Sequence, residues 1–171
     1  IIVAANGPAI GAAVTSASLC DAILAHESAS FHTPFGALGL VPEGCSSYWF
    51  EKLMGPVSAE RMIGAEAWKP TAAEALEIGL VTAVVSGDVV AEAQALGERW
   101  AAEGKVRKIY ELGEAEKLRA VNAEESQRLA EAIVSPVFLS VCHRNAVRKG
   151  QRQLATLFWT LLKTHVLWSR L

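Results

Sequence analysis

Apolar residues come in short runs at the start of the chain, and turn-forming residues separate these runs. Residues 1–5 are apolar and end at the turn sequence Asn6-Gly7-Pro8. Residues 11–19 have small or apolar side chains on all sides of a helical projection, which predicts a helix buried on every side. Residues 22–25 form a short apolar run typical of a strand, and residues 29–33 are predicted to form another short strand. A strand, a helix and a strand joined by short connections predict a parallel sheet covered by helices.

The middle of the chain joins a loop to a short helix and a strand. Residues 35–44 are rich in glycine and proline, which predicts a loop, and we place the candidate chemistry there. Thr71 and Glu74 have the spacing of a capping box, and Gly79 directly follows the last predicted helical residue, so we predict a short helix over 72–78. Residues 80–85 are predicted to form the next strand.

The rest of the chain is rich in Ala, Glu, Leu, Arg and Lys at helical spacing. This pattern predicts helices over residues 89–102, 115–132, 136–148 and 151–168. We therefore expect three parts, which are an α/β core at 1–87, a helical region at 88–151 and a helical tail at 152–171. The tail has an apolar face, so we expect an interface helix, and a misread gene end is the alternative.

Composition narrows the class of protein. The 171 residues, 51% of them hydrophobic, suffice for one domain with a buried core. The 16 basic and 18 acidic residues nearly balance, so nothing indicates a nucleic-acid partner. The tail is too short and too charged for a membrane span. The three cysteines lack paired spacing, which argues against a disulfide framework or a metal site and fits a reducing compartment.

An ordered series of motifs carries the most specific signal. The motifs are Asn6-Gly7-Pro8-Ala9, Phe31-His32-Thr33-Pro34-Phe35 and Pro42-Glu43-Gly44-Cys45-Ser46-Ser47. The series resembles the crotonase (enoyl-CoA hydratase/isomerase) superfamily, and within it the peroxisomal 3-enoyl to 2-enoyl-CoA isomerases. The resemblance is close over residues 1–85, weaker over 88–151 and absent beyond.

The resemblance implies an α/β crotonase-like fold, here a partial ββα core followed by an α-helical C-terminal region. It implies that the N-terminal part of the family's domain is missing from this chain. It also implies an acyl-CoA thioester as substrate, no separate cofactor because coenzyme A is part of that substrate, and a homotrimer when the protein is complete.

Glu43 is the residue on which the resemblance places the chemistry. It matches the glutamate that acts as both acid and base in the isomerases, where one carboxylate removes a proton from C2 of a 3-enoyl thioester and returns it to C4. Phe35, Leu40 and Trp49 are the side chains expected to contact the substrate's acyl part. The alternative is that Glu43 is an ordinary exposed loop carboxylate.

Ala12 matches the position whose backbone N–H is the second oxyanion-hole donor, and Gly11 beside it leaves room for the substrate. Ala12 falls in the first turn of a predicted helix, where N–H groups lack partners and the helix dipole favours an anion. The alternative is that these small residues only permit close helix packing. The first donor precedes Ile1 in the family, so we expect this chain alone to be inactive and to leave a sheet edge unpaired.

Two positions favour isomerisation over hydration. Hydratases of the superfamily carry two glutamates that activate water, and the matching residues here are Thr15 and Phe35, neither of which is a general base.

We expect His32 to be structural because no nucleophile accompanies it. Residues 45–47 are expected to cap a helix that begins near Tyr48, rather than to attack a thioester.

Two other classes of function stay open on the sequence. A crotonase-like module that binds acyl-CoA or another protein keeps the fold without turnover, although the retained Glu43 argues against it. A thioester hydrolase needs an activated water for which we can assign no residue.

Ser169-Arg170-Leu171 fits the Ser-Lys-Leu type of peroxisomal address, which is read at a free C-terminus, so we expect a peroxisomal protein, with the mitochondrion or cytoplasm as alternatives.

Overall fold

The computed structural model describes residues 1–168, which form five strands and nine helices. The strands are β1 (Ile2–Ala5), β2 (Pro8–Ile10), β3 (Ala22–His26), β4 (Ser30–His32) and β5 (Ala83–Val85). The helices are α1 (Ala12–Ser18), α2 (Phe35–Leu38), α3 (Ser46–Ile63), α4 (Ala72–Glu77), α5 (Val89–Ala102), α6 (Lys108–Glu111), α7 (Ala115–Ile133), α8 (Pro136–Arg148) and α9 (Arg152–Trp168). The triplet 169–171 lies outside the described residues.

The five strands form two small parallel sheets, both in the first half of the chain. Strands β1, β3 and β5 pair in that order, with Ile2 opposite Ala22, and this confirms the predicted parallel sheet. Strand β2 pairs in parallel with β4, with Ala9 opposite Phe31. The sequence predicts no strand at Pro8–Ile10, because three residues are too few to show a period of two.

Both faces of the three-stranded sheet are covered. Ile23 and Ala25 of β3 belong to the main core, which also contains Val14 of α1 and Phe50 of α3. Leu24, on the opposite face of β3, packs with α5. A strand covered on both faces is apolar throughout, so these residues show no alternation of apolar and polar side chains. Helix α5, the first long helix of the second half of the chain, therefore packs directly on this sheet.

The predicted helices are confirmed in position. Helix α4 begins with the full capping box, in which the Thr71 hydroxyl accepts from the Glu74 amide and the Glu74 carboxylate accepts from the Thr71 amide. Helices α5 and α8 have the predicted bounds, and α7 and α9 each differ by one residue at one end. Helix α6 is an addition, since four residues are too few for helical periodicity to show.

Two predictions for the front half are wrong in part. Residues 35–44 are not a loop throughout, because they begin with helix α2, which ends at Gly39 with a left-handed φ of 68°. Helix α1 is not buried on every side, because Ala12 and Ser16 are exposed. Its small side chains look alike on the buried and the exposed face, so the sequence does not distinguish the two faces.

A partial α/β core followed by helices agrees with the predicted fold class. Over residues 1–168, every helix is too short or too polar to cross a membrane. In the same range, His, Cys, Asp and Glu side chains do not gather in threes where a metal ion would bind.

Candidate active site

The N-terminus of helix α1 presents free backbone donors. Gly11 takes φ 59° and ψ −126°, its N–H donates to the His32 carbonyl at 2.8 Å, and its carbonyl accepts from Val14 at 2.8 Å. Within the described residues, no oxygen accepts from the N–H groups of Ala12 or Ala13, and both residues are exposed. A helix N-terminus with free N–H groups carries partial positive charge and attracts an anion.

The Glu43 carboxylate is held against the same helix. Glu43 is half-buried, and its Oε1 accepts a hydrogen bond from the Thr15 hydroxyl at 2.7 Å. The Thr15 oxygen also lies 3.3 Å from the Ala12 carbonyl, but its single proton favours the nearer and charged acceptor. Thr15 follows Ala12 by three residues, so both are on one side of α1. The structure therefore brings Glu43 next to the helix whose first turn carries the free donors.

Gly44 explains how the Glu43 loop approaches α1 so closely. Its φ is 62°, in the left-handed region that favours glycine. A Cβ at this position would lie 2.8 Å from the Thr15 Oγ1 and 2.9 Å from the Thr15 Cβ. The absence of a side chain at residue 44 is therefore a condition of the hydrogen bond between Thr15 and Glu43.

We expect Gly44→Ala to destabilise the chain by about 1–2 kcal/mol or more, since a left-handed non-glycine residue alone has roughly this cost. The clash with Thr15 adds to that cost. The free energy of unfolding in urea measures the effect, with Gly36→Ala as control, because a Cβ on Gly36 meets nothing within 4 Å. Equal stability of the two variants would contradict the close contact.

The start of helix α3 differs from the sequence prediction. The helix begins at Ser46, its N-cap residue Cys45 has a φ of 65°, and no side chain of residues 45–47 caps it. Instead Glu125 of α7 accepts from the Cys45 N–H at 2.6 Å and from the Ser47 N–H at 2.9 Å. The buried Ser46 hydroxyl has no partner among the described residues. The expectation that these residues cap the helix themselves is therefore wrong.

Cys45 is not arranged as a nucleophile. Its side chain is buried and its thiol donates to the Leu118 carbonyl at 3.3 Å. Burial raises the pKa of the Cys45 thiol, and the carboxylates of Glu125 and Glu43 raise it further. Because the thiolate is the reactive form, a raised pKa makes covalent chemistry at this residue unfavourable.

The other predicted site residues lie in different surroundings. Phe35 is buried at the start of α2, and Leu40 is half-buried on the Glu43 loop. Trp49 is buried with Cys45 and Leu118, and its indole N–H donates to the Ser18 carbonyl at 2.8 Å. The substrate contacts of these side chains stay predictions.

Two cavities of similar size lie away from Glu43 and Ala12. One, of about 520 Å³, runs between β1 and α5 and is lined by Ile2, Trp100 and Arg107 among others. The other, of about 510 Å³, lies beside Trp49 and Lys108. Neither cavity is lined by Glu43 or Ala12, and the first-turn residues Ala12 and Ala13 of α1 are exposed to solvent.

Sequence reasoning missed two of these relationships. In the sequence analysis, Thr15 is only the residue that replaces a glutamate of the hydratases. In the structure, its hydroxyl donates a hydrogen bond to Glu43. Glu125 carries a sequence signal, because it shares a helical face with Leu118 and Val121 at spacings of three and four. A carboxylate in such an apolar stripe indicates a buried partner, but the sequence does not say which.

Comparison with known proteins supplies the family context. A sequence profile described as enoyl-CoA hydratase/isomerase matches residues 1–155. Human enoyl-CoA delta isomerase 2 is 42% identical over 133 residues, covering 73% of this chain and 33% of that protein. The peroxisomal enoyl-CoA delta isomerase 3 of Mus musculus is 49% identical over 84 residues, covering 49% of this chain and 26% of that protein.

A third relative is named as a chromodomain protein and not as an isomerase. The human chromodomain Y-like protein is 48% identical over 84 residues, which cover 49% of this chain and 14% of that protein. Among solved structures, an enoyl-CoA hydratase/isomerase from Pseudoalteromonas atlantica is 32% identical with a TM-score of 0.76, covering 88% of this chain and 62% of that one. The chain spans about a third or less of the length of these three curated relatives.

Proposed function

This chain belongs to the enoyl-CoA hydratase/isomerase family, and on that premise we propose that it carries the catalytic glutamate of an enoyl-CoA isomerase. The reaction moves the double bond of a 3-enoyl-CoA to the 2-trans position. Glu43 is the acid and base, and the Ala12 N–H is one of the donors to the thioester oxygen. No cofactor is required, because coenzyme A is part of the substrate.

The observation that carries this proposal is the 2.7 Å hydrogen bond from Thr15 to Glu43. It holds a carboxylate beside a helix N-terminus whose N–H groups are free. In the proposed reaction, Glu43 takes a proton from C2, and the electron pair delocalises onto the thioester oxygen while the double bond shifts. The Ala12 N–H stabilises that oxyanion. Glu43 then returns the proton to C4, so atoms and charge balance without added water.

The same geometry supports isomerisation over hydration. The hydratases of the family activate water with two glutamates, and the resemblance places Thr15 and Phe35 at the matching positions of this chain. The Thr15 hydroxyl is committed to Glu43, and Phe35 is buried. Neither side chain is a base for water, so proton transfer by Glu43 is the chemistry left to this site.

The test uses a chimera, because the family's first oxyanion donor precedes the matched segment. The part of human enoyl-CoA delta isomerase 2 that precedes its matched segment is joined to residue 1 of this chain. The chimera is expected to convert 3-hexenoyl-CoA to 2-hexenoyl-CoA, followed by the ultraviolet absorbance of the conjugated thioester. Hydration of added 2-hexenoyl-CoA is expected to stay at the buffer rate. Robust hydration, or no isomerisation by a folded chimera, contradicts the proposal.

A second candidate is a module that binds acyl-CoA or a protein without turnover. It is favoured by the chromodomain Y-like relative, in which the matched part is a small share of a long chain. The same chimera separates the two functions. Titration calorimetry that detects hexenoyl-CoA binding, together with an isomerisation rate no higher than that of buffer, supports the module.

We further propose that the complete protein is a homo-oligomer, with a trimer as the specific expectation. Its support is a row of exposed leucines, Leu154, Leu157 and Leu161, which share one face of α9. An exposed apolar row on a helix is typical of a surface that packs against a partner.

The proposed location is the peroxisome, which is supported by the mouse relative that is named peroxisomal. The address Ser169-Arg170-Leu171 lies outside the described residues. A fluorescent protein that ends in residues 161–171 is expected to enter peroxisomes of a eukaryotic cell. One extra residue after Leu171 should abolish import, because the receptor reads a free C-terminus. Diffuse fluorescence from the unextended fusion would remove this proposal.

A further inference from the structure

We propose that Glu125 is a positioning residue, which holds the loop of Glu43 in its reactive place from a distant helix. The catalytic part of this inference rests on the proposed function. Glu125 is 80 residues from Cys45 in sequence, yet its two carboxylate oxygens accept from the backbone of residues 45 and 47 at 2.6 and 2.9 Å. Both bonds lie in the first turn of α3, two and four residues after Glu43.

The Glu125 carboxylate is buried without a cationic partner. Its residue is 3% exposed, and over residues 1–168 no Lys, Arg or His nitrogen lies within ion-pair distance of it. A buried charge is strongly unfavourable unless hydrogen bonds and local dipoles compensate it. Here the compensation comes from the backbone N–H groups and the positive end of α3. The buried Glu125 carboxylate therefore depends on the N–H groups of this turn, and those N–H groups depend on the carboxylate as their acceptor.

The turn that Glu125 holds does not stabilise itself. Gly44 and Cys45 follow one another with φ of 62° and 65°, and left-handed backbone is unfavourable for cysteine. The N-cap of α3 has no side-chain hydrogen bond of its own. The Cys45 thiol also donates to α7, at the Leu118 carbonyl. Helix α7 thus fixes Cys45 through both its backbone and its side chain.

The same turn sets the position of Glu43. The Ser46 N–H donates to the Glu43 carbonyl at 3.1 Å, so Glu43 belongs to the turn. On the other side, Thr15 of α1 holds the Glu43 carboxylate. Glu43 is therefore placed between two anchors, Thr15 on α1 and Glu125 on α7. A displacement of about 1 Å at a reacting group can reduce turnover about a hundredfold, so the remote anchor has a catalytic consequence.

The variant Glu125→Gln keeps the size of the side chain but loses the charge and one acceptor. Its matched control is Glu124→Gln on the same helix, where the side chain is exposed and pairs with Arg128. In the chimera we expect Glu125→Gln to lower kcat about tenfold or more, with KM changed less than about twofold. The control should match the parent in both. Glu125→Asp retains the charge with shorter reach and is expected to lose kcat likewise if the Gln variant does not fold.

A second measurement reports the position of Glu43 without turnover. The 171-residue chain is labelled with carbon-13 at the glutamate carboxyls, and the Glu43 signal is identified by its loss in Glu43→Gln. Glu125→Gln is expected to move this signal towards those of exposed glutamates, while Glu124→Gln leaves it in place. A folded parent chimera without isomerase activity overturns the proposed function, and the carboxyl signal alone then decides the role of Glu125. A variant that loses only thermal stability, with kcat and the Glu43 signal unchanged, overturns the positioning role.

Discussion

Replacing Glu43 by Gln is expected to lower isomerisation by the chimera at least about a hundredfold, the low end for loss of a general acid and base. The amide has nearly the same size, so the loop and its contact with Thr15 should persist. It cannot accept the C2 proton at neutral pH, so the loss should fall on kcat while binding of the acyl-CoA stays close to the parent value. Rates at saturating 3-hexenoyl-CoA and calorimetric binding constants measure the two effects.

The control for this variant is Glu51→Gln, which removes the same charge from an exposed position on α3. It should keep the parent kcat. Unchanged turnover in Glu43→Gln would contradict the assignment of Glu43 as the base. The base would then be another carboxylate near the N-terminus of α1.

Local sequence was sufficient to predict the elements and residues of the site that depend on short stretches of chain. The parallel strands, the capping box of α4 and the bounds of α5 and α8 follow from patterns a few residues long. Glu43 and Ala12 were identified because each lies in a motif of a resembled family. The structure adds that Thr15, three residues after Ala12 on α1, donates a hydrogen bond to Glu43.

The sequence did not predict relationships that depend on folding over a long distance. The hydrogen bonds of Glu125 join positions 78 and 80 residues apart, and nothing near residue 45 indicates that the cap of α3 comes from α7. Strand β2 and helix α2 were missed because segments of three and four residues show no period. The exposure of Ala12 was missed because small side chains look alike on both faces of α1. That last error bears on function, since a fully buried Ala12 could not meet a substrate.

Removing the Ala12 N–H is expected to reduce kcat about 10²–10³-fold, the usual effect of losing one oxyanion-hole donor. Proline at residue 12 does this with little other change. Ala12 is the first residue of α1, where proline fits and where the missing N–H leaves no helical hydrogen bond unmade. Gly11 before it has φ 59° and ψ −126°, which is not the helical conformation that a following proline disfavours.

The matched control is Ala12→Gly, which keeps the N–H and should retain most of the parent rate. Thermal unfolding should show that both variants fold, because residue 12 is exposed and its N–H has no acceptor among the described residues. Substrate binding should weaken far less than kcat, since the donor interacts most strongly with the charge that develops on the thioester oxygen in the transition state. A proline variant as active as its glycine control would show that the oxyanion is stabilised elsewhere. The free N–H groups at the start of α1 would then have no part in the reaction.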